Sequence, residues 1–181
     1  MKYSQIIIPS PLGDLVAVAS DTDLMMLEFA DSENLERKIQ NTLPLVGGVR
    51  GGTLEIPHPT SPTRGGVENP ILQKTILQLG KYFSGTRKTF DIPLAPSGTD
   101  FQKKAWKALE KIPYGETRSY QEEATLAGNP RAVRAIGGAN NKNPIVIIIP
   151  CHRVIGKDGS LVGYGGGMER KIWLLNHEKQ K

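Results

Sequence analysis

Residues 119–143 read SYQEEATLAGNPRAVRAIGGANNKN, and this stretch decides the architecture of the second half of the chain. Ser119 and Glu122 have capping-box spacing: the hydroxyl can accept the third backbone N–H of a helix while the carboxylate reaches back to the cap's own N–H. They predict a helix over YQEEATLAG. Gly128 stops it, because glycine enters the left-handed conformation without a Cβ penalty. Asn129 can cap a following helix, with Pro130 at its first position, so RAVRAIGGAN is predicted helical. Two short helices joined by a brief glycine-containing turn make a helix-turn-helix.

Working outward, Thr99 and Gln102 form a second capping box ahead of DFQKKAWKALEKI, whose apolar stripe is Phe101, Ala105, Trp106 and Leu109. NPIVIIIP, residues 143–150, predicts a buried strand leading into Cys151. RVIGKDGSLV predicts a hairpin turning at Asp158-Gly159, and MERKIWLLNHE a closing helix that buries Ile172, Trp173 and Leu175. Toward the N-terminus, YSQIII, GDLVAVAS and LMMLEFA read as short strands separated by turn residues. SENLERKIQ predicts a helix capped by Ser32. NPILQKTILQLGKYFSG predicts another, capped by Asn69 with Pro70 at its first position and Ile71, Leu72, Ile76, Leu79 and Phe83 along one face. TFDIPLAPSG reads as an edge strand and linker. Residues 46–68 contain 6 Gly and 3 Pro without periodicity and read as a long mobile loop or insertion. Their glycines do not have phosphate-loop spacing.

Pro and Gly cluster at Pro93–Gly98, where the charge balance also changes sign. Residues 1–100 hold 9 Lys+Arg against 11 Asp+Glu, and residues 101–181 hold 14 against 7. The predicted organisation is an N-terminal domain over 1–93 and a C-terminal domain over 94–181, in an α+β fold. A basic C-terminal half suits a polyanion such as nucleic acid, or is a solvated surface. At 38% hydrophobic and 23% charged residues the composition is that of an ordinary globular chain. No apolar run approaches the roughly 20 residues of a membrane span. The N-terminus does not read as a signal peptide, and cytoplasmic placement is expected. One cysteine excludes an internal disulfide and a multi-cysteine zinc site. His58, His152 and His177 are too few and scattered to suggest a metal cage.

The second helix of the pair presents Ala132, Ala135, Gly137, Gly138 and Ala139, with Arg134 as its one long cation. Small residues let a backbone approach a narrow minor groove, and they equally permit close helix packing within a domain. Cys151 is open to two readings as well. A lone cysteine is commonly a small buried hydrophobe. As a nucleophile it needs a base, and His152 qualifies if a carboxylate such as Glu178 fixes its tautomer. In an extended segment adjacent side chains diverge, so His152 reaches the sulfur only through a water or a turn in the backbone.

IPCHRVI, residues 149–155, resembles the active-site signature of the O6-alkylguanine-DNA alkyltransferases. The flanks agree in order and spacing: GTDFQKKAWKALEKIPYGETRSYQ, AGNPRAVRAIGGANNKNP and GYGGGMERKIWLLNHE are similar to that family's corresponding segments. The resemblance covers residues 99–178. The first 93 residues match only in general form, as a small β-sheet domain of ribonuclease-H-like type. It implies that Cys151 takes the alkyl group from guanine O6 in a single turnover and that His152 and Glu178 activate it through a water. Asn143 is implied to support the active-site structure. Arg134 is implied as the finger that fills the gap left by a flipped nucleotide, and Tyr120 as the residue that crowds the adjacent phosphate. Val154, Tyr164 and Gly165 fall where the family lines its base pocket, and Gln121, Asn129 and Lys157 near its DNA contacts. The implied partner is double-stranded DNA containing O6-alkylguanine, bound through the minor groove by a monomer with no cofactor and no metal. At Gly165 some members carry serine or a larger residue, and 46–68 has no counterpart. Alkyltransferase-like damage binders share this fold but lack the cysteine.

Overall fold

The computed structural model describes residues 3–42, 45–46, 49–50 and 68–179, the two short pairs by backbone alone. Most of the loop expected at 46–68 lies outside the described residues, although Leu45–Val46 (β4) and Val49–Arg50 (β5) pair antiparallel. The chain divides into two compact units, Met1–Ser97 and Gly98–Lys181. No helix among the described residues is long and apolar enough to cross a membrane.

The first unit is an antiparallel meander, β1 Ser4–Ile8, β2 Leu15–Ala19 and β3 Leu24–Phe29, in the order β1-β2-β3. The central strand LVAVA is buried along its whole length, as expected when both faces of a sheet are covered. On one face Val16, Val18 and Met26 meet Leu35 and Ile39 of α1, Leu35–Thr42. α2, Pro70–Phe83, packs against β1 and β2. Asn69 caps α2 through its side-chain oxygen, which accepts from Ile71 N and Leu72 N. Its amide donates to Ser20 O at 2.9 Å, so the cap also anchors the helix to the sheet.

Several expectations shift here. α1 starts at Leu35 because Ser32 closes a turn instead of capping, its carbonyl accepting Leu35 N at 2.9 Å and its hydroxyl Asn34 N at 3.3 Å. The buried face of α2 runs through Ile71, Leu72, Thr75, Gln78, Leu79 and Tyr82, while Ile76 and Phe83 are only partly buried. Thr75 and Gln78 enter because they are satisfied, Thr75 by donating to Ile71 O and Gln78 by accepting Asp91 N. The expected edge strand at 89–98 is reduced to one parallel bridge, Leu94 with Leu24. Pro93 and Pro96 flank it and have no N–H to extend a ladder.

The second unit is mostly helical: α3 Asp100–Leu109, α4 Tyr120–Leu126, α5 Val133–Asn141 and α6 Met168–Lys179. Both capping boxes form, Thr99 with Gln102 and Ser119 with Glu122. β6, Arg118–Ser119, pairs parallel with β7, Val154–Ile155. α3, α4 and α5 close around Ala105, Ala124, Ile136 and Ala139. Trp106, 1% exposed, donates its indole N–H to Ala139 O at 3.0 Å and joins α3 to α5.

Gly128 ends α4 with φ +82°, but Asn129 does not cap α5. Its carbonyl accepts Ala132 N and its own N–H donates to Ala124 O, which spends 129–132 on a turn and starts the helix at Val133. Residues 145–149 are buried as expected, but 146–148 turn and no strand forms. The reason is Asn143, whose amide donates to Ile149 O at 2.8 Å and whose oxygen accepts Ile145 N at 3.0 Å, supplying partners a ladder would have supplied. Ile147 takes φ +72° in the middle of this turn, a conformation strained for a β-branched residue. The hairpin after Cys151 is absent. Asp158-Gly159 does form a turn, closed by Ser160 O accepting Gly156 N, but Val154–Ile155 pairs with β6 instead. On α6 the buried stripe is Lys171, Leu174, Leu175 and Glu178, with Ile172 44% exposed and Trp173 partly buried against His177.

Candidate active site

Cys151, His152 and Arg153 form a one-turn 3-10 helix immediately before β7. This tight turn replaces the extended backbone expected around the cysteine. Cys151 is 7% exposed, and Asn143 Nδ2 donates to its Sγ at 3.1 Å. The side chain that shapes the 145–149 turn therefore also contacts the sulfur.

His152 is fully buried. Its Nε2 lies 2.9 Å from Glu178 Oε1. Arg153 grips the same carboxylate, Nε to Oε2 at 2.8 Å and a terminal nitrogen to Oε1 at 2.9 Å, and donates to Ile112 O at 2.6 Å. Gly115 N adds a bond to Glu178 Oε2 at 3.2 Å. Gly115 has φ +77°, and a Cβ there would stand 2.9 Å from Glu178 O, so only glycine fits.

Burial alone would raise the Glu178 carboxyl, but the hydrogen bonds and charges of His152 and Arg153 outweigh it and hold it well below the usual carboxylate range. Burial pushes His152 below its ordinary value, only partly offset by Glu178. An ionised Glu178 beside a neutral His152 fixes the tautomer, with Nε2 donating. His152 Nδ1 then carries a lone pair and has no partner among the described residues.

Both shifts carry the same sign for stability. Between its folded value and about 4.5, Glu178 is protonated in the unfolded chain but not in the folded one. The same holds for His152 from about 6.5 downward. Stability supplied by this pair is present at neutral pH and declines as pH falls. The melting midpoint is expected to drop between about pH 4.5 and about pH 3, where Glu178 and His152 lose stability together and the buried Glu123 carboxyl, pushed up to about 8, is largely protonated in both states. A midpoint flat over that range would remove the assigned ionisation states.

Beside the sulfur lies a cavity of about 320 Å³, counting the part open to solvent, lined by Tyr120, Gly137, Asn140, Asn141, Cys151, Gly163, Tyr164 and Gly165. Tyr120 OH donates to Val162 O at 3.2 Å. A Cβ at Gly165 would meet Asn141 O at 3.5 Å, an ordinary contact, so the wall there has room for a small side chain.

The structure thus pairs Asn143 with Cys151 and His152 with Glu178 on either side of the same short turn, and places Tyr120, Tyr164 and Gly165 with Cys151 around one cavity. Val154 is buried but is not among the lining residues. Its carbonyl accepts Lys171 Nζ at 2.7 Å. Gln121, Asn129, Arg134 and Lys157 are exposed, and Gln121 donates to Pro130 O across the helix-turn-helix. Sequence reasoning passed over Arg153 and Lys171. Lys171 is fully buried and also donates to Val162 O at 2.8 Å, which ties α6 to the cavity loop. The available signal was the spacing of Lys171, Leu174, Leu175 and Glu178, a helical stripe with charged ends. Among the described residues no group of three or more His, Cys, Asp or Glu is placed to hold a metal ion.

Comparison with known proteins follows the same division of the chain. The profile described as 6-O-methylguanine DNA methyltransferase, ribonuclease-like domain, matches residues 1–96, and that of the same family's DNA binding domain matches residues 100–180. The chain belongs to the 6-O-methylguanine DNA methyltransferase family. The methylated-DNA–protein-cysteine methyltransferase of Methanosarcina barkeri is 46% identical over 174 residues, 96% of this chain and 95% of the relative. The constitutive enzyme of that name from Bacillus subtilis is 54% identical over 113 residues, 62% of this chain and 68% of the relative. Among solved structures, the O6-methylguanine methyltransferase of Mycobacterium tuberculosis matches with TM-score 0.74 and 39% identity, covering 98% of this chain and 93% of that one. Mycobacterium tuberculosis OGT, solved in complex with DNA, matches with TM-score 0.73 and 41% identity over 98% of this chain and 92% of that one. Family membership and the two-part α+β architecture therefore agree with the resemblance carried by IPCHRVI and its flanks.

Proposed function

We propose that the chain repairs DNA by moving the alkyl group from O6 of guanine to its own Cys151, once per molecule. The observation that carries this is the chemistry at residues 151 and 152: Cys151 lines the cavity with its Sγ accepting from the Asn143 amide, and the residue that follows is a buried histidine, held neutral and bonded to an ionised carboxylate. Such a histidine is a base, and its Nδ1 is the atom available to act. A water accepting from Sγ–H and donating to Nδ1 relays the proton, and the thiolate attacks the alkyl carbon in line. The S–C bond forms as the C–O6 bond breaks. Its electron pair stays on guanine, which takes up a proton. The product is a thioether, a bond that thiol exchange does not reopen, and Cys151 is the one thiol in the chain.

Guanine O6 is inside the duplex, so the nucleotide must leave the stack before reaction. The family's roles transfer to positions that suit them. Tyr120 borders the cavity at the start of α4, and Arg134 is exposed near the start of α5. Gln121, Asn129 and Lys157 are exposed where phosphates can be met. Tyr164 and Gly165 line the base pocket, while Val154 is buried outside its lining. Small residues on α5 allow the close approach that a minor groove demands. The working unit is a monomer on double-stranded DNA, it needs no metal or cofactor, and its setting is the cytoplasm.

The test is stoichiometric. An excess of duplex DNA carrying isotope-labelled methyl on guanine O6 is mixed with limiting protein, and the label is located by peptide mass. One methyl per protein molecule, on the Cys151 peptide, is expected. Repeated turnover, or label elsewhere, sinks the reading.

A further inference from the structure

We propose that Glu123 is a positioning residue for this transfer: as a neutral carboxylic acid paired with the Asn140 amide, it holds the cavity wall that faces Cys151. The inference rests on the function proposed above.

Glu123, on α4, is 0% exposed, and Asn140, on α5, is 8% exposed. Asn140 Nδ2 donates to Glu123 Oε2 at 2.6 Å. The other oxygen of each group, Glu123 Oε1 and Asn140 Oδ1, is buried without a donor among the described residues. Two orphaned acceptors on one contacting pair are costly if the acid is ionised. One proton removes the problem. The acid O–H donates to the amide oxygen while the amide N–H donates to the acid carbonyl, so two hydrogen bonds close the pair.

No cation competes for that role. α3 brings only exposed charges, Asp100, Lys103, Lys104 and Lys107, and α5 only the exposed Arg134. Arg118 of β6 pairs with Glu116, and β7 has no ionisable side chain. On its own helix Tyr120 is the neighbour, its ionisation opposed by burial, then by Cys151 and by Glu123. Burial pushes the Glu123 carboxyl up to about 8, and the Asn140 hydrogen bond recovers only part.

The pair joins the helix that carries Tyr120 to the helix that carries Gly137 and Asn140, and all three residues line the cavity with Cys151. Glu123 lies three positions after Tyr120, on the same side of α4. Ionising Glu123 returns two orphaned acceptors to the wall and loosens it, whereas a glutamine keeps a donor and an acceptor at every pH.

Three proteins test this: wild type, Glu123→Gln and Glu123→Ala. Single-turnover transfer from O6-methylguanine duplex is measured between pH 6 and pH 9.5, alongside DNA affinity and melting midpoints. Glu123→Gln is expected to match wild type within about twofold at pH 6–7 and to outpace it increasingly above pH 8. Taking the ratio cancels the thiol's own pH response. Glu123→Ala should transfer about tenfold more slowly at unchanged DNA affinity. The Glu123→Gln midpoint should rise above wild type by several degrees at pH 9 and be level with it at pH 5. A pH-independent ratio together with a constant midpoint gap overturns the inference while leaving transfer to Cys151 intact. If wild type itself transfers nothing, the functional reading falls and the positioning role falls with it.

Discussion

Glu178→Ala is expected to destabilise the protein by about 3–5 kcal/mol and to slow transfer by about two orders of magnitude or more. The stability loss follows from what the carboxylate leaves behind. Arg153 is 7% exposed and gives two of its donors to Glu178, so truncation leaves a buried guanidinium beside Ile112 O and the Tyr114 ring with its carboxylate gone. His152 Nε2 loses its acceptor and Gly115 N its partner in the same step. The rate loss follows from the tautomer. Without Glu178 nothing keeps the proton on Nε2, and Nδ1 is no longer reserved as the base. Urea unfolding with single-turnover transfer separates the two effects. Glu178→Gln keeps an acceptor for His152 and should recover more rate than stability. A Glu178→Ala cost below about 1 kcal/mol would show that the buried network is not carried by this carboxylate.

Cys151→Ala is expected to abolish transfer outright while leaving the fold and DNA binding nearly unchanged. The cost to stability should be only about 1 kcal/mol, since Asn143 Nδ2 keeps its bond to Ile149 O when the sulfur goes. The variant should still form a complex with alkylated duplex, visible by mobility shift, in which the methyl group stays on guanine. Residual methylation of any other side chain would show that Cys151 is not the acceptor.

The capped helices were legible because their signals are local. Thr99 with Gln102, Ser119 with Glu122, and Asn69 with Pro70 each state a helix start within four residues, and each is found where expected. What escaped depends on partners distant in sequence. NPIVIIIP has the composition of a buried strand, but its backbone groups are satisfied by the Asn143 side chain, which no apolar pattern encodes. MERKIWLLNHE was read by its apolar residues, whereas the face that turns inward has Lys171 at one end and Glu178 at the other. Those charges are buried because carbonyls of the cavity loop and Arg153 await them. The site divides similarly. Asn143 bonds Cys151 and Glu178 bonds His152, yet from the residues alone Cys151 is open to a structural reading, and the resemblance supplies its role. Arg153 lies inside IPCHRVI, but nothing in CHR says that the arginine shares the histidine's carboxylate.

Ile147 ties the stability of its turn to the aim of the thiol. A β-branched side chain at φ +72° survives only while its neighbours leave it nowhere else to go. Those neighbours, Ile145, Val146, Ile148 and Ile149, are the unbroken apolar run that delivers the thiol to its place. The part that keeps the molecule folded and the part that aims its reagent are one object. Selection has no separate dial for the two. A substitution that eases this turn also mis-aims the sulfur, so variants tuned for robustness here should arrive already blunted as reagents.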